Sequence, residues 1–501
     1  MMKKSQTNGI IAALVIFALN SYANQLSYTV VDTGQIKCYD DQKEIEYPKS
    51  GQSFFGQDAQ YSGNQPSYHN NGDGTISDIR TGLMWQADPG EKKTYREAVS
   101  SAKNCTIGGY KDWRLPTIKE LYSLILFTGT DPNPSSRNAA IPFINTELFK
   151  FQYGKEEDGD RIIDSQWATS TLYKGKVMNG ATAMFGVNFA DGRIKGYPAG
   201  ANHGRDEKKF YVICVRGNEA YGKNDFVDNH NGTVTDKSTG LTWMQADSGK
   251  SMDWETALKY AEGMRFAGYS DWRLPNAKEL QSIVDYTRSP DTTESAAIDP
   301  TFEATSITNE DGKKDYGHYW NSTTHVGFLD GSRAVYIAFG RALGFMNNRW
   351  MDVHGAGAQR SDKKSGDESQ LPKGHGPQGD AQRINNMVRL VRGGTAIRRT
   401  VGPKVEIAKT NSQHKQRNIE EPSPQRPMGP PPQRGENGEP SSMDFIKRLD
   451  SNNDNMVSKT EFDGPSQHFS DFDKNNDGVI SKDEAPTGKP PKRGKKTNPK
   501  D

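Results

Sequence analysis

Apolar and polar positions run through the same series of periods twice along this chain. The first round opens with Asn70-Asn71-Gly72-Asp73-Gly74-Thr75-Ile76-Ser77-Asp78 and continues through Thr81-Gly82-Leu83-Met84-Trp85. Turn residues flanking alternating segments predict a β-hairpin. The second round answers with Asp228-Asn229-His230-Asn231-Gly232-Thr233-Val234-Thr235-Asp236 and Thr239-Gly240-Leu241-Thr242-Trp243. Helical spacing follows. Thr94 and Glu97 stand as N-cap and N3 residues, with Tyr95, Ala98 and Ala102 on one face. Asp253 caps the second version, with Trp254, Ala257 and Ala261 in the same places. Another helix is predicted after Thr117 (Glu120 at N3) and after Asn276 (Glu279 at N3). Its buried face is Ile118, Leu121, Leu124 and Ile125, or Ala277, Leu280, Ile283 and Val284. Strand-like segments complete each round. Trp167-Ala168-Thr169-Ser170-Thr171 resembles Trp320-Asn321-Ser322-Thr323-Thr324, and residues 183–189 resemble 334–339. The closing strands are 211–217 and 387–393. Strands, two helices and more strands define an α+β unit.

The rounds are most alike where the second helix begins. Gly109-Tyr110-Lys111-Asp112-Trp113-Arg114-Leu115-Pro116 precedes Lys119-Glu120-Leu121. Gly268-Tyr269-Ser270-Asp271-Trp272-Arg273-Leu274-Pro275 precedes Lys278-Glu279-Leu280, 159 residues later. A match of that length makes residues 66–217 and 222–394 two tandem copies of one domain. Asp112 and Arg114, like Asp271 and Arg273, fall on one side of an extended segment, with the Trp between them facing the core. The expected role is a structural corner brace. The opening turn offers oxygens to a cation, but Asn231 stands where the first copy has Asp73, which favours a plain turn. Copy two is longer through residues 354–380, a polar, Gly-rich insert of the kind that often carries binding.

Composition sets the surroundings. The 501 residues include 50 Gly and 26 Pro, and mean hydropathy is −0.86, which fits loop-rich domains joined by polar linkers. Lys and Arg (64) balance Asp and Glu (63) to a net charge of +1, so charge gives no reason to expect nucleic acid or a membrane surface. Residues 1–23 read as a signal peptide: Lys3 and Lys4, an apolar run at 10–19, then Ser21-Tyr22-Ala23 at the cleavage site. That run is too short to span a bilayer, and no other stretch is long enough. The mature chain is therefore expected to be exported, without a transmembrane segment, to the periplasm, the cell surface or the medium. Residues 24–65 form an N-terminal arm expected to pack on the first copy. Residues 395–440 read as a disordered Pro-rich linker and 487–501 as a basic disordered tail.

Three cysteines, with no His nearby at ligand spacing, make a zinc site improbable. Cys105 aligns with Met264 and Cys214 with Leu390. Cys at both positions in one copy and apolar residues at both in the other predict a Cys105–Cys214 disulfide. Cys38 has no evident partner.

The chemistry-bearing pattern lies in residues 441–486. Asp450, Asn452, Asp454, Ser458 and Glu461 occupy positions 1, 3, 5, 9 and 12 of a twelve-residue loop, and Asp473, Asn475, Asp477, Ser481 and Glu484 repeat it. This is the oxygen-ligand spacing of a calcium-binding EF-hand, with the position-7 carbonyls of Met456 and Val479 completing each set. Gly478 supplies the bend at position 6, and Asn455 substitutes for Gly in the first loop. Val457 and Ile480 at position 8 are placed to pair. Phe445, Ile446, Leu449, Phe469 and Phe472 offer a small all-α core. Gly464-Pro465 and Pro486 end the exit helices early, favouring a compact structural or buffering pair over one that opens widely.

The hairpins through Trp85 and Trp243, both Asp-Trp-Arg-Leu-Pro stretches with their Lys-Glu-Leu helices, the Trp167 and Trp320 segments and the closing Val-Arg-Gly strands resemble the Lcl C-terminal domain family over roughly residues 66–394. The resemblance implies a C-type-lectin-like α+β fold in which chain ends pair and long loops carry binding. It also implies an exported bacterial protein; the expected partner is a glycan or another extracellular polymer. The same signature is similar to that of formylglycine-generating enzymes, which use two reactive cysteines. Here Cys105 and Cys214 fit a structural bond better, and copy two has neither. The expected function is non-catalytic: a calcium-binding recognition or adhesion protein of the envelope or surface. An enzyme on the formylglycine-generating scaffold is the alternative.

Overall fold

A computed structural model describes residues 26–133, 140–155, 157, 159–200, 207–328, 330–394 and 396–402. Beyond these it describes 446, 449–450, 456–458, 462, 469, 472–475 and 479–485. The first group belongs to one compact unit and the second group to another. The segment read as a signal peptide, most of the expected linker and the basic tail lie outside the described residues.

The opening hairpin forms in both copies. Tyr68–Asn70, Thr75–Asp78 and Leu83–Gln86 make an antiparallel meander, and the closing strand Val215–Gly217 joins it with Val215 opposite Trp85. Phe226–Asp228, Thr233–Asp236, Leu241–Met244 and Val391–Gly393 repeat the arrangement, with Val391 opposite Trp243. Each copy thus brings its two ends together in one small sheet. Asp73 Oδ1 accepts from Thr75 N and Oγ1 at 3.0 and 2.6 Å, and Asn231 Oδ1 does the same from Thr233 at 3.2 and 2.7 Å. Either residue makes the same Asx turn, which accounts for the Asp-to-Asn exchange.

Helix α1 (Tyr95–Lys103) carries the Thr94–Glu97 capping box, and α2 (Ile118–Tyr122) the Thr117–Glu120 box. Asp253 caps α3 (Trp254–Gly263), and Asn276 with Glu279 boxes α4 (Ala277–Ser282). The apolar faces are buried as their spacing predicts, except that Tyr95 is only half-buried. Helices α2 and α4 stop earlier than that spacing suggests, so Leu124, Ile125, Ile283 and Val284 are buried from the turn beyond each helix. Small sheets dominate the unit and helices are few.

The copies share one antiparallel sheet. Its order is His318–His325, Arg333–Ala338, Gln359–Lys363, Arg193–Pro198, Ala183–Asn188 and Gln166–Trp167. The seam between copies is the pair Ile194–Gln359. Inside the copies Ile194 stands opposite Val187 and Gln359 opposite Ile337, so the seam joins equivalent positions. The tandem pair is folded about an internal pseudo-two-fold axis, an isologous contact within one chain. One hydrophobic cluster runs through both halves, including Trp85, Trp167 and Trp243.

Three sequence expectations change. The insert 354–380 contributes a central strand, Gln359–Lys363, and the extra length of copy two flanks it: the hairpin of Leu343–Met346 with Arg349–Asp352, and residues 364–386. The arm lies mainly against the second copy, where Gln35 Oε1 accepts from Thr324 N (2.8 Å) and Asp58 Oδ2 from Thr323 Oγ1 (2.6 Å). Buried backbone on that bulged strand needs polar partners, and the arm supplies them. Ile397–Arg398, expected in the linker, pairs with Tyr61–Ser62 of the arm.

Candidate calcium loops and recognition clefts

The twin signature is bonded to its own domain. Asp112 accepts from Arg216 Nε and Asp271 from Arg392 Nε, each at 2.7 Å. Those guanidiniums stack over Tyr110 and Tyr269 at 3.8 and 3.6 Å from the ring centres. Arg114 donates twice to Glu120 (2.7 and 2.6 Å) and Arg273 twice to Glu279 (2.6 and 2.7 Å). The same glutamates accept from the backbone of Thr117 and Asn276, so one carboxylate ties the strand's Arg to the helix cap. Trp113 and Trp272 are buried and donate to Ile107 O and Phe266 O. These side chains brace a corner, as the alternation of the motif predicts.

The lysine of each Lys-Glu-Leu reaches the other copy. Lys119 Nζ donates to Ser282 O at 2.6 Å, and Lys278 Nζ to Ser123 O at 2.8 Å. Ser123 and Ser282 are equivalent positions at the ends of α2 and α4, so each copy caps the other's helix. Gly222 O (3.1 Å) and Asn224 Oδ1 (2.8 Å) complete the first set and Asp32 O (3.0 Å) the second. Burial lowers both ammonium groups to about 8. Sequence reasoning assigned these residues no role. A signal was present: both sit in the first turn of a helix, where the macrodipole disfavours a cation.

Among the described residues, two of the unit's clefts bear on recognition. One, of 590 Å³, lies at the copy-one corner between Ser170, Thr171 and Glu120 on one side and Val284, Tyr286 and Thr287 on the other. The second, of 430 Å³, lies in copy two among Trp350, Glu310, Arg383, Lys373, Asn385 and His318. Arg383 clamps Glu310 at 2.7 and 2.9 Å, and Lys373 Nζ sits 4.2 Å over the Phe345 ring. Burial disfavours the Glu310 carboxylate, but the Arg383 bonds outweigh it and hold the group below its usual range. His318 stacks on Tyr336 at 4.3 Å, and burial keeps it neutral. Lys373 lies in the 354–380 insert that the sequence marks for binding; the sequence singled out none of the others.

The sequence profile of the Lcl C-terminal domain matches residues 74–216 and 232–354, together more than half of the chain. The chain belongs to the Lcl C-terminal domain family. Membership suggests a surface or extracellular protein, and among the described residues no helix is long and apolar enough to cross a membrane. No curated protein and no solved structure matches the chain.

In the first Lcl C-terminal domain, Cys105 and Cys214 are neighbouring thiols in an apolar cluster with Trp113 and Phe210. Burial, and then the adjacent Cys105, push the Cys214 thiol up. The predicted pair is brought together, although both sulfurs are unbonded here. Cys38 is also buried, and burial raises it to about 12.

Beyond the Lcl C-terminal domains, the second unit has its own small core of Ile446, Leu449, Val457, Phe469, Ile480 and Ala485. Val457 stands opposite Ile480. Of the sequence-predicted calcium ligands, Asp450, Met456, Ser458, Asp473, Asn475, Val479, Ser481 and Glu484 are described, while Asn452, Asp454, Glu461 and Asp477 lie outside the described residues. Among the described residues no three His, Cys, Asp or Glu groups converge. Glu484 turns back over its loop: Oε1 accepts from Lys474 N and Asn475 N at 3.1 and 3.2 Å, and Oε2 from Ser481 N and Oγ at 3.0 and 2.7 Å. The Ser481 donors, with those of Asn475 and Lys474, hold its carboxyl below the usual range. A charged carboxylate folded against the start of its loop fits the chemistry of a hard, oxygen-preferring cation.

Proposed function

We propose that this chain is an exported, non-catalytic recognition protein whose paired Lcl C-terminal domains hold a saccharide or another extracellular polymer, and whose C-terminal loops bind calcium. The observation carrying the recognition reading is the 430 Å³ copy-two cleft. An indole face at Trp350, a clamped Arg383–Glu310 pair and the Asn385 amide offer the stacking surface and the fixed donors and acceptors that a sugar ring uses. The extra length that distinguishes copy two builds this cleft. For calcium, support comes from the two ligand patterns, the Val457–Ile480 pairing and the inward Glu484. The loops supply hard oxygens to the ion, and the short segments after them keep the pair compact.

A redox enzyme built on Cys105 and Cys214 requires a low thiol pKa and access. The apolar pocket raising Cys214 works against both. The test of recognition is a glycan-array screen of the full chain with and without calcium, repeated with Trp350→Ala. The calcium reading is tested by calorimetric titration of the full chain and of a Glu461→Gln/Glu484→Gln variant. Heat of binding in the first and its loss in the second are expected, and no uptake at millimolar calcium refutes the sites.

A further inference from the structure

The pseudo-two-fold axis makes the two signature corners equivalent, yet their surroundings differ. At the copy-two corner the arm threads between the domains. Gln35 brackets Thr324, accepting from its N at 2.8 Å and donating to its O at 2.7 Å. Thr33 O accepts from Phe127 N at 2.8 Å. Asp58 Oδ2 accepts from Thr323 Oγ1 at 2.6 Å and from Thr33 Oγ1 at 2.7 Å. Gly34 takes φ +77°, a bend that suits glycine, and a Cβ there would lie 3.5 Å from the Leu126 side chain.

The copy-one corner repeats the receiving groups without the arm. Thr171 is equivalent to Thr323, and each hydroxyl accepts from the first amide of its helix, Ile118 N or Ala277 N, at 3.0 Å. A bulge in the copy-two strand shifts the register by one, so Leu172 (opposite Met184) answers to Thr324 (opposite Ala334), and Tyr286 answers to Phe127. Among the described residues, neither Leu172 N nor Tyr286 N finds a protein acceptor. Leu172 is also one of the chain's exposed large apolar residues. The 590 Å³ cleft stands where the arm would run. The chain has one arm and two corners; at the copy-one corner the interdomain residues Glu219, Tyr221 to Asn224 and Phe226 line one wall of the cleft, bonded to Lys119, Tyr28 and Asp236, and leave the Leu172 and Tyr286 amides uncovered.

We propose that the copy-one cleft is a docking groove for an extended segment of another protein, with the arm's pattern of a hydroxyl residue, a glycine and a carboxamide residue. The segment's main-chain carbonyl takes the Tyr286 amide, its carboxamide brackets Leu172, and its hydroxyl lies near Thr171. This rests on the geometry of the paired domains alone and is independent of the calcium and saccharide readings.

The test is fluorescence anisotropy of a labelled synthetic peptide copying residues 30–37, titrated with the full chain. The expected result is saturable binding of one peptide per chain. It should be abolished by Ser170→Trp or Thr287→Trp, which fill the cleft from exposed positions, and weakened about tenfold by alanine in place of the peptide's glutamine. Both variants are first checked for wild-type melting behaviour; if either fails, the competition readout on the wild-type chain decides. There, an unlabelled arm peptide should displace the probe while its alanine version does not. Absence of saturable binding, binding unchanged by both fillings, or displacement of the probe by a saccharide overturns the proposal.

Discussion

The two signature corners carry the same side chains and differ in what lies on them. Arg273 is 6% exposed beneath the arm, whereas Arg114 is 31% exposed at the mouth of a cleft. Tyr61 lies over the Arg273 guanidinium at 5.5 Å. A motif repeated along a chain therefore fixes a corner's internal geometry without fixing its role. One copy's corner is sealed into the core, and the other's is left as surface. The cysteine pair divides the copies in the same way, as do the additional copy-two segments around Trp350.

The largest expected effect concerns the cysteines. Once oxidised, a Cys105–Cys214 bond closes a loop of roughly 110 residues, worth about 4–5 kcal/mol in the chain-entropy model. Chemical denaturation with and without reductant should show that difference. Mass analysis of the exported protein after thiol blocking should find one modified cysteine, Cys38, under denaturing conditions; blocking at all three would break the distinction between the copies.

The corners can be compared directly. Glu279→Ala strands a buried Arg273 and should cost about 3–5 kcal/mol, while Glu120→Ala leaves Arg114 within reach of water and should cost about 1–3 kcal/mol. Denaturant midpoints measure both, since each change also removes one capping box. Equal losses would mean that the arm's cover does not matter energetically.

A smaller effect comes from Asp58, which exists only at the covered corner. Burial first, then the nearby Asp32 charge, raise its carboxyl to about 7. The folded state keeps a proton that the unfolded chain releases near pH 4, so this group's contribution to stability falls as pH rises from about 4 to 7. Asp58→Asn keeps an acceptor for Thr33 and Thr323 without the titration. Relative to wild type it should gain at least about 1 kcal/mol between pH 4 and pH 8. A parallel pH profile in the two proteins would remove Asp58 from the account.

Much of the Lcl C-terminal domain architecture was legible because it is local or repeated. Caps at Thr94, Thr117 and Asn276, the Trp85 and Trp243 hairpins and the closing strands all follow from short-range patterns. Comparison of the copies also points to Cys105 and Cys214, which are neighbours here without a disulfide. What sequence missed depends on contacts between distant segments. The Ile194–Gln359 seam pairs an apolar with a polar residue and has no periodic signature. The arm's destination was misjudged because its anchoring groups, Gln35 and Asp58, are ordinary polar residues until a bulged strand needs them. The copy-two cleft draws Glu310, Trp350 and Arg383 from three segments far apart in the chain.

The central claim is that recognition belongs to the segments that differ between the copies, while the shared signature braces the fold. Glycan-array binding by the full chain, beside Trp350→Ala and Asp112→Asn, tests it most directly. The account predicts a retained saccharide ligand for the wild type and for Asp112→Asn, and its loss in Trp350→Ala. Loss in Asp112→Asn with full binding by Trp350→Ala, or no saccharide retained by the wild type, would contradict it.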